Sequence, residues 1–277
     1  MKPIIQLLNI WLNSPTKNTK KLNLYPSEKI LRNMGFAGDQ EGILQRYLYE
    51  AANWQPHLLN TKRYIEEFVS VTCPENVAVL GSGWLLDVPL DFLARQCRQV
   101  YLFDIRHPRQ VVHKYKKTNN VHFVTQDITG GLIEQVYRIM SGKPQMFEAL
   151  NQLSSPGFST FEPIDSVISV NVLNQLDVLI TEYLRRFKLP QSFNALNFRS
   201  NIQAAHLLSL PVGGSCLVTD VEEKVFNASH EPIETNPLIF VPLPDGKNHR
   251  EWLWMFDTQM TYYENRITYF KVIAKYL

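Results

Sequence analysis

Four short stretches place residues capable of chemistry at matching points of an otherwise apolar pattern. Val77 to Leu80 is an apolar run that ends in Gly81-Ser82-Gly83. Val100 to Phe103 ends in Asp104, Val121 to Val124 leads to Asp127, and Ser166 to Val170 ends at Asn171. Gly81 and Gly83 lack Cβ, so the backbone there can turn sharply and approach a ligand closely. Loop N–H groups and the start of a following helix favour a carboxylate or a phosphate. Asp104 stands about 20 residues beyond the glycines, the separation at which a nucleotide-binding fold places its ribose-binding acid. Its carboxylate would accept hydrogen bonds from both ribose hydroxyls. The plainer alternative is a cap for the helix that follows Pro108. For Asp127 and Asn171 the same choice stands between ligand contact and an ordinary polar loop or turn.

The elements that must position these residues follow from periodicity. The four runs, and a fifth from Ser215 to Val218 ending at Thr219-Asp220, alternate with helical stretches such as Pro89 to Gln96 and Pro108 to Lys117. Continuous apolar strands alternating with helices predict a parallel sheet buried on both faces. In such sheets ligands bind beyond the carboxyl ends of the strands, where all four stretches fall. Trp252 to Asp257 and Ile267 to Tyr276 predict two more strands, paired as a hairpin around Glu264-Asn265. The Pro-rich stretch between Glu222 and Arg250 predicts an extended flap. Ahead of the sheet, Glu41 to Val71 has helical spacing, as one helix or as two with the second starting near Asn60-Thr61. Residues 13 to 28 read as a polar linker. The short apolar stretch before them, interrupted by Gln6 and Asn9, reads as a docking helix and not a signal peptide.

A strand ending in G-x-G, an acid closing the next strand, an acid after the third and a closing strand pair together resemble the class I S-adenosylmethionine (SAM)-dependent methyltransferases. The resemblance covers roughly residues 70 to 277. It implies an α/β fold: a three-layer Rossmann-like sandwich whose mostly parallel seven-stranded sheet ends in an antiparallel hairpin. Residues 1–70 would form an N-terminal helical cap and 71–277 the methyltransferase-like domain. It also implies SAM as cofactor. Gly81, Ser82 and Gly83 would meet its amino-acid end, and Asp104, with Ile105 beside it, its ribose. Asp127 would meet the adenine amino group while Ile128 packs on the ring. Asn171 would reach the methionine portion or the acceptor. Two positions depart from the family pattern. Val79 stands where many members carry an acid, and Leu85 where many carry a third glycine. Asp87 is either a carboxylate supplied from another angle or an acid of the first turn after Pro89.

Methyl transfer can run on positioning alone, so no catalytic residue has to announce itself, and none is assigned. For the acceptor, the helical segment offers Tyr47, Glu50, Trp54 and His57 on one stripe. Tyr47, Trp54 and His57 are the candidate substrate contacts, with His57 a base near neutral pH if it faces the pocket. The bland alternative buries the two aromatic residues and leaves Glu50 and His57 in water.

Bulk properties narrow the classes. The 277 residues carry a formal net charge of +2, which sets up no global field toward nucleic acid or an acidic membrane. Clusters at Lys114, Lys116, Lys117 and at Arg185, Arg186, Lys188 leave a nucleic-acid partner open, but no RNA-binding motif accompanies them. A small molecule is the expected acceptor. The three cysteines are far apart, so neither a disulfide framework nor a zinc site is expected, and a reducing cytoplasm fits them. No histidine pair has metal-ligand spacing, and no apolar run is long enough to span a bilayer. Oligomeric state is not legible. Two other functions stay open. One is a methyltransferase-like protein that binds SAM, a nucleoside or a partner without turnover. The other is a nicotinamide-dependent oxidoreductase, against which stands Leu86 where that fingerprint needs a small residue.

Overall fold

A computed structural model describes residues 25–158 and 164–277. The expected docking helix, and most of the expected linker, lie outside the described residues.

Helix α1 (Glu28–Asn33) is capped by Ser27, whose hydroxyl accepts from the Ile30 N–H. Helix α2 (Phe36–Thr72) runs for 37 residues without the break allowed near Asn60-Thr61, and contains Pro56. Tertiary packing explains the continuity. Trp54, His57, Thr61, Tyr64, Ile65 and Phe68 form a buried face at three- and four-residue steps, and that face lies on the end of the sheet.

The sheet comprises β1 (Asn76–Leu80), β2 (Gln99–Asp104), β3 (Val121–Thr125), β4 (Ser166–Val170), β5 (Ser215–Asn227), β6 (Pro232–Pro237), β7 (Lys247–Asp257) and β8 (Arg266–Tyr276). Its order is β3-β2-β1-β4-β5-β8-β7, with β6 paired to β5 off that path. Strands β1 to β5 pair parallel, while β8 and β7 close the sheet antiparallel. Helices α3 (Leu90–Gln96), α4 (Arg109–Tyr115), α5 (Leu132–Met140), α6 (Val178–Leu184) and α7 (Ala195–Ser209) connect the strands.

The continuous apolar runs make sense in this setting. Ala78, Leu80, Val167 and Leu217 point into the layer that holds Leu132, Ile180 and Ile202 of α5, α6 and α7. Their neighbours Val77, Val79, Ile168, Cys216 and Val218 point into the layer that holds Tyr64, Phe68 and Leu93 of α2 and α3. With a core on each face, every position of a central strand is buried. This is the three-layer Rossmann-like sandwich with the expected reversed strand pair.

The sheet has eight strands where seven were expected, and the Pro-rich stretch is no simple flap. Strand β5 continues past the end of β4, and its overhang from Glu222 to Phe226 pairs with β6. Within β5 the register against β8 slips between Asp220 and Glu222, so Val221 is an extra residue. A bulge shifts the two-residue alternation by one. Cys216, Val218 and Asp220 precede it on one face, and Glu223 and Val225 resume on that same face after it. Strict alternation would have put Asp220 and Glu223 on opposite faces.

Candidate functional site

The chain runs outward from β1 through β2 to β3, then returns to lay β4 on the other side of β1. Ligands of open α/β sheets bind in the crevice at such a switch point, outside the carboxyl ends of the strands. A cavity of about 330 Å³ lies there. It is lined by Gly81, Ser82, Gly83, Asp104, Ile105, Asp127, Ile128, Asn171, Trp54 and His57, all expected at the site. Tyr47 does not line it; its ring packs 5.9 Å from that of Trp54, on the core side of α2.

The two glycines act for different reasons. A Cβ on Gly81 (φ +78°) would sit 2.8 Å from the Val172 Cβ and 2.9 Å from the Val170 carbonyl oxygen, so this glycine lets β1 and β4 close together. A Cβ on Gly83 (φ +43°) would meet nothing nearer than 4.0 Å. Its N–H donates to Asp104 Oδ2 at 2.8 Å, and Asp104 Oδ1 accepts from the Arg106 N–H. Asp104 is therefore not a helix cap. It clamps the end of β2 to the glycine loop, and each oxygen keeps a lone pair for a further donor. Burial pushes its pKa up, and the hydrogen bond from Gly83 opposes the shift.

Leu85 adopts φ +57°, a left-handed conformation unusual for a bulky side chain. The loop thus keeps the backbone of the glycine it lacks. Val79 is fully buried in β1 and can offer nothing to a ligand. Asp87 does not cap α3, whose N-cap position is Pro89 with no side-chain cap bond. It lines the cavity and accepts from the Asn171 amide at 2.7 Å. Asn171 is held in this place by a left-handed backbone (φ +48°) just past β4.

Asp127 is occupied within its own loop. It accepts from the Thr129 N–H and hydroxyl and from the Ile133 N–H, tying the loop to the start of α5. Ile128 is left lining the cavity.

Both polar residues of the α2 stripe are buried. Glu50 accepts from the backbone N–H groups of Thr258 and Gln259, so it anchors the β7–β8 connection. His57 stacks on Trp254 at 4.0 Å, and its Nδ1 accepts from the Trp252 indole N–H at 3.1 Å. An indole nitrogen only donates, so the imidazole proton sits on Nε2; the Asn171 amide nitrogen 3.3 Å away is also a donor, so no hydrogen bond joins the two. Burial pushes the His57 pKa down to about 3. The expectation that it serves as a base near neutral pH fails, because its basic lone pair is engaged and the charged form is desolvated. Its neutral ring lines the cavity.

Residues that sequence reasoning did not place here complete the site. Gln40 of α2 reaches across the mouth: its side chain donates to the Arg106 carbonyl, and its own carbonyl accepts from the Trp84 indole. The Arg46 guanidinium lies over the rings of Phe256 and Tyr262, 4.8 and 4.9 Å from their centroids. Asp220 and Glu223 enter from β5, and Asn174 from the loop after β4. Asp220 was legible as a strand end; Glu223 needed the bulge. Asn174 donates to Asp220 Oδ2 at 3.3 Å. Burial, with Asp87 adding to it, pushes the Asp220 pKa up to about 8. The buried atoms Ser82 Oγ, Asn171 Oδ1, Asn174 Oδ1 and Asp220 Oδ1 have no hydrogen-bond partner among the described residues.

Other candidates lie elsewhere. His206 is buried with Nε2 2.8 Å from the Ser169 hydroxyl, a packed histidine. Both basic clusters are exposed. Cys73, Cys97 and Cys216 are free. Among the described residues no group of three or more His, Cys, Asp or Glu is placed to hold a metal ion, and no helix is long and apolar enough to cross a membrane.

Comparison with known proteins finds no matching family model and no matching curated protein. Solved structures do show similarity. The N-methyltransferase NodS from Bradyrhizobium japonicum WM9, in complex with S-adenosyl-L-homocysteine (SAH), is 13% identical over 98% of this chain and 97% of its own, with a TM-score of 0.37. An rRNA methylase from Streptococcus thermophilus is 14% identical over 76% of this chain and 94% of its own, at 0.31. DhpI, in a complex with SAM, is 9% identical over 90% of this chain and 99% of its own, at 0.37. What defines the fold of this chain is its own strand order: a parallel sheet reversed at the switch point and closed by an antiparallel pair.

Proposed function

We propose that the cavity binds SAM and that the protein transfers its methyl group to a small-molecule acceptor. The observation that carries this reading is the line of polar groups across the carboxyl ends of β1, β2 and β4, in an otherwise largely apolar cavity. Asp104 would take the ribose hydroxyls on its free lone pairs, and Ile105 and Ile128 would flank the adenine. Asp127 would support that end through its loop. Ser82 Oγ suits the carboxylate of the methionine portion. Asp87, with Asn171, replaces the acid missing at position 79 and suits its ammonium group. When bound, SAM supplies a methyl group made electrophilic by a sulfonium. The chain's part is to orient, to exclude water under the Gln40 bridge, and to receive a proton from the acceptor.

Calorimetric titration with SAM and SAH tests the reading. Micromolar binding is expected. Asp104→Ala removes charge-assisted hydrogen bonds, each worth about 1.5–3 kcal/mol, so affinity should fall roughly 10- to 100-fold with the fold intact. Unchanged affinity in that variant, or no binding to the folded wild type, would refute it. Tight binding of NADH would turn the reading to an oxidoreductase. SAM binding without SAH formation across a broad acceptor panel would favour a protein that binds without turnover. That last reading has Val79 behind it, while Leu85 no longer counts, since the loop keeps its left-handed turn.

A further inference from the structure

Among the described residues, six carboxylic acids line the cavity against one guanidinium, Arg46, and no lysine lines it. The imbalance is sharpest at the β5 end, where Asp87, Asp220 and Glu223 face the same space. Asp220 is 1% exposed and Asn174 7% exposed, and each has a buried oxygen without a partner among the described residues. Two unpaired acceptors side by side call for donors, and burying them unpaired is unfavourable. Beside them stands an aromatic wall of Trp54, Trp254, Phe256 and Phe270. Acceptor oxygens, an excess of acids over cations and ring faces together suit an ammonium group on an apolar body.

We propose that this end of the cavity is the subsite for the amino group of the methyl acceptor, with Asp220 Oδ1 and Asn174 Oδ1 receiving its N–H donors. The acceptor is accordingly an amine, an assignment that rests on the reading of the cavity as a SAM pocket. An acceptor that arrives as an ammonium displaces to solvent the proton that the buried carboxyl holds in the free protein, pairs with the ionised Asp220, and then gives one N–H proton to Asp220 Oδ1. The products of that step are a neutral amine with a free lone pair and a neutral carboxyl. Burial has already raised the Asp220 pKa toward that of an amine, which brings the two ends of the transfer closer in energy. The bulge at Val221 is what aims Asp220 and Glu223 into the same space.

The experiment compares two probes by calorimetry, on the wild type and on Asp220→Asn. One is SAH. The other is sinefungin, which carries an amine where SAM carries its transferable methyl. The wild type should bind sinefungin roughly tenfold or more tightly than SAH, the scale of one charge-assisted hydrogen bond. Asp220→Asn should bind SAH within about twofold of wild type and lose the preference for sinefungin. No preference in the wild type, or a preference that survives the substitution, overturns the proposal. So does a fall in SAH affinity in the variant, which would place Asp220 at the methionine end. Failure of SAH to bind the folded wild type overturns instead the reading on which it rests.

Discussion

Replacing Asp220 by Asn should stabilise the protein, and by an amount that grows with pH. The side chain is buried, its carboxyl meets Asn174 and, among the described residues, no cation, and Asp87 repels its charged form. Its pKa is about 8 in the fold against an ordinary value of 3.8. Between those values the folded state holds a proton that the unfolded state has lost. The contribution to stability is therefore fullest below the ordinary value and is lost as pH rises through about 8. At about 1.4 kcal/mol per pH unit, the roughly three units up to pH 7 amount to about 4 kcal/mol. Asparagine has nearly the same shape, can accept from Asn174 and does not ionise. Its NH₂ group still has to be buried, which takes back about 1–3 kcal/mol. The net gain is about 2 kcal/mol at pH 7, or roughly 4–8 °C in melting temperature. Near pH 5 the two contributions cancel. Thermal unfolding of both proteins from pH 5 to 8.5 reads this directly. Asp87 and His57 face the same space in both proteins, and relief of the repulsion between Asp87 and Asp220 acts in the same direction, adding to the variant's advantage as pH rises. An advantage that fails to grow with pH, or a variant less stable at pH 8, would refute the reasoning. A site residue whose removal stabilises the fold is held there at a cost in stability, as expected of a binding group.

Other outcomes follow from the same contacts. Gly81→Ala should cost more than about 2 kcal/mol in denaturant unfolding, because a strained φ adds to a clash with Val170 and Val172; a loss below 1 kcal/mol would contradict the close approach. Glu50→Ala leaves the Thr258 and Gln259 N–H groups unpaired and should cost about 2–4 kcal/mol, measured the same way. Full stability in that variant would show that the β7–β8 connection is anchored otherwise. His57, with its pKa pushed down to about 3, should show no protonation between pH 5 and 8 when its imidazole signals are followed by NMR. A midpoint near 6.5 would restore it as a candidate base.

The positions of Gly81, Asp104 and Asn171 at strand ends are legible in the amino-acid sequence alone, because a strand buried on both faces shows as an unbroken apolar run that stops where the backbone leaves the core. Local chemistry also marks the reversed pair of β7 and β8. Partners across the sheet are not legible. Asp87 has the look of a first-turn acid, since Pro89 follows it, and only the approach of β4 shows that it meets Asn171. His57 has an ordinary titratable side chain in sequence; the stacking of Trp254 and the donor from Trp252, 195 residues away, keep it neutral. Asp220 and Glu223 share a face because one extra residue, Val221, is absorbed by the pairing of β5 with β8. Periodicity reports which side of its own element a residue occupies. Burial, charge state and partner are set by what packs against that side, and distant parts of the chain contribute that only in the folded structure.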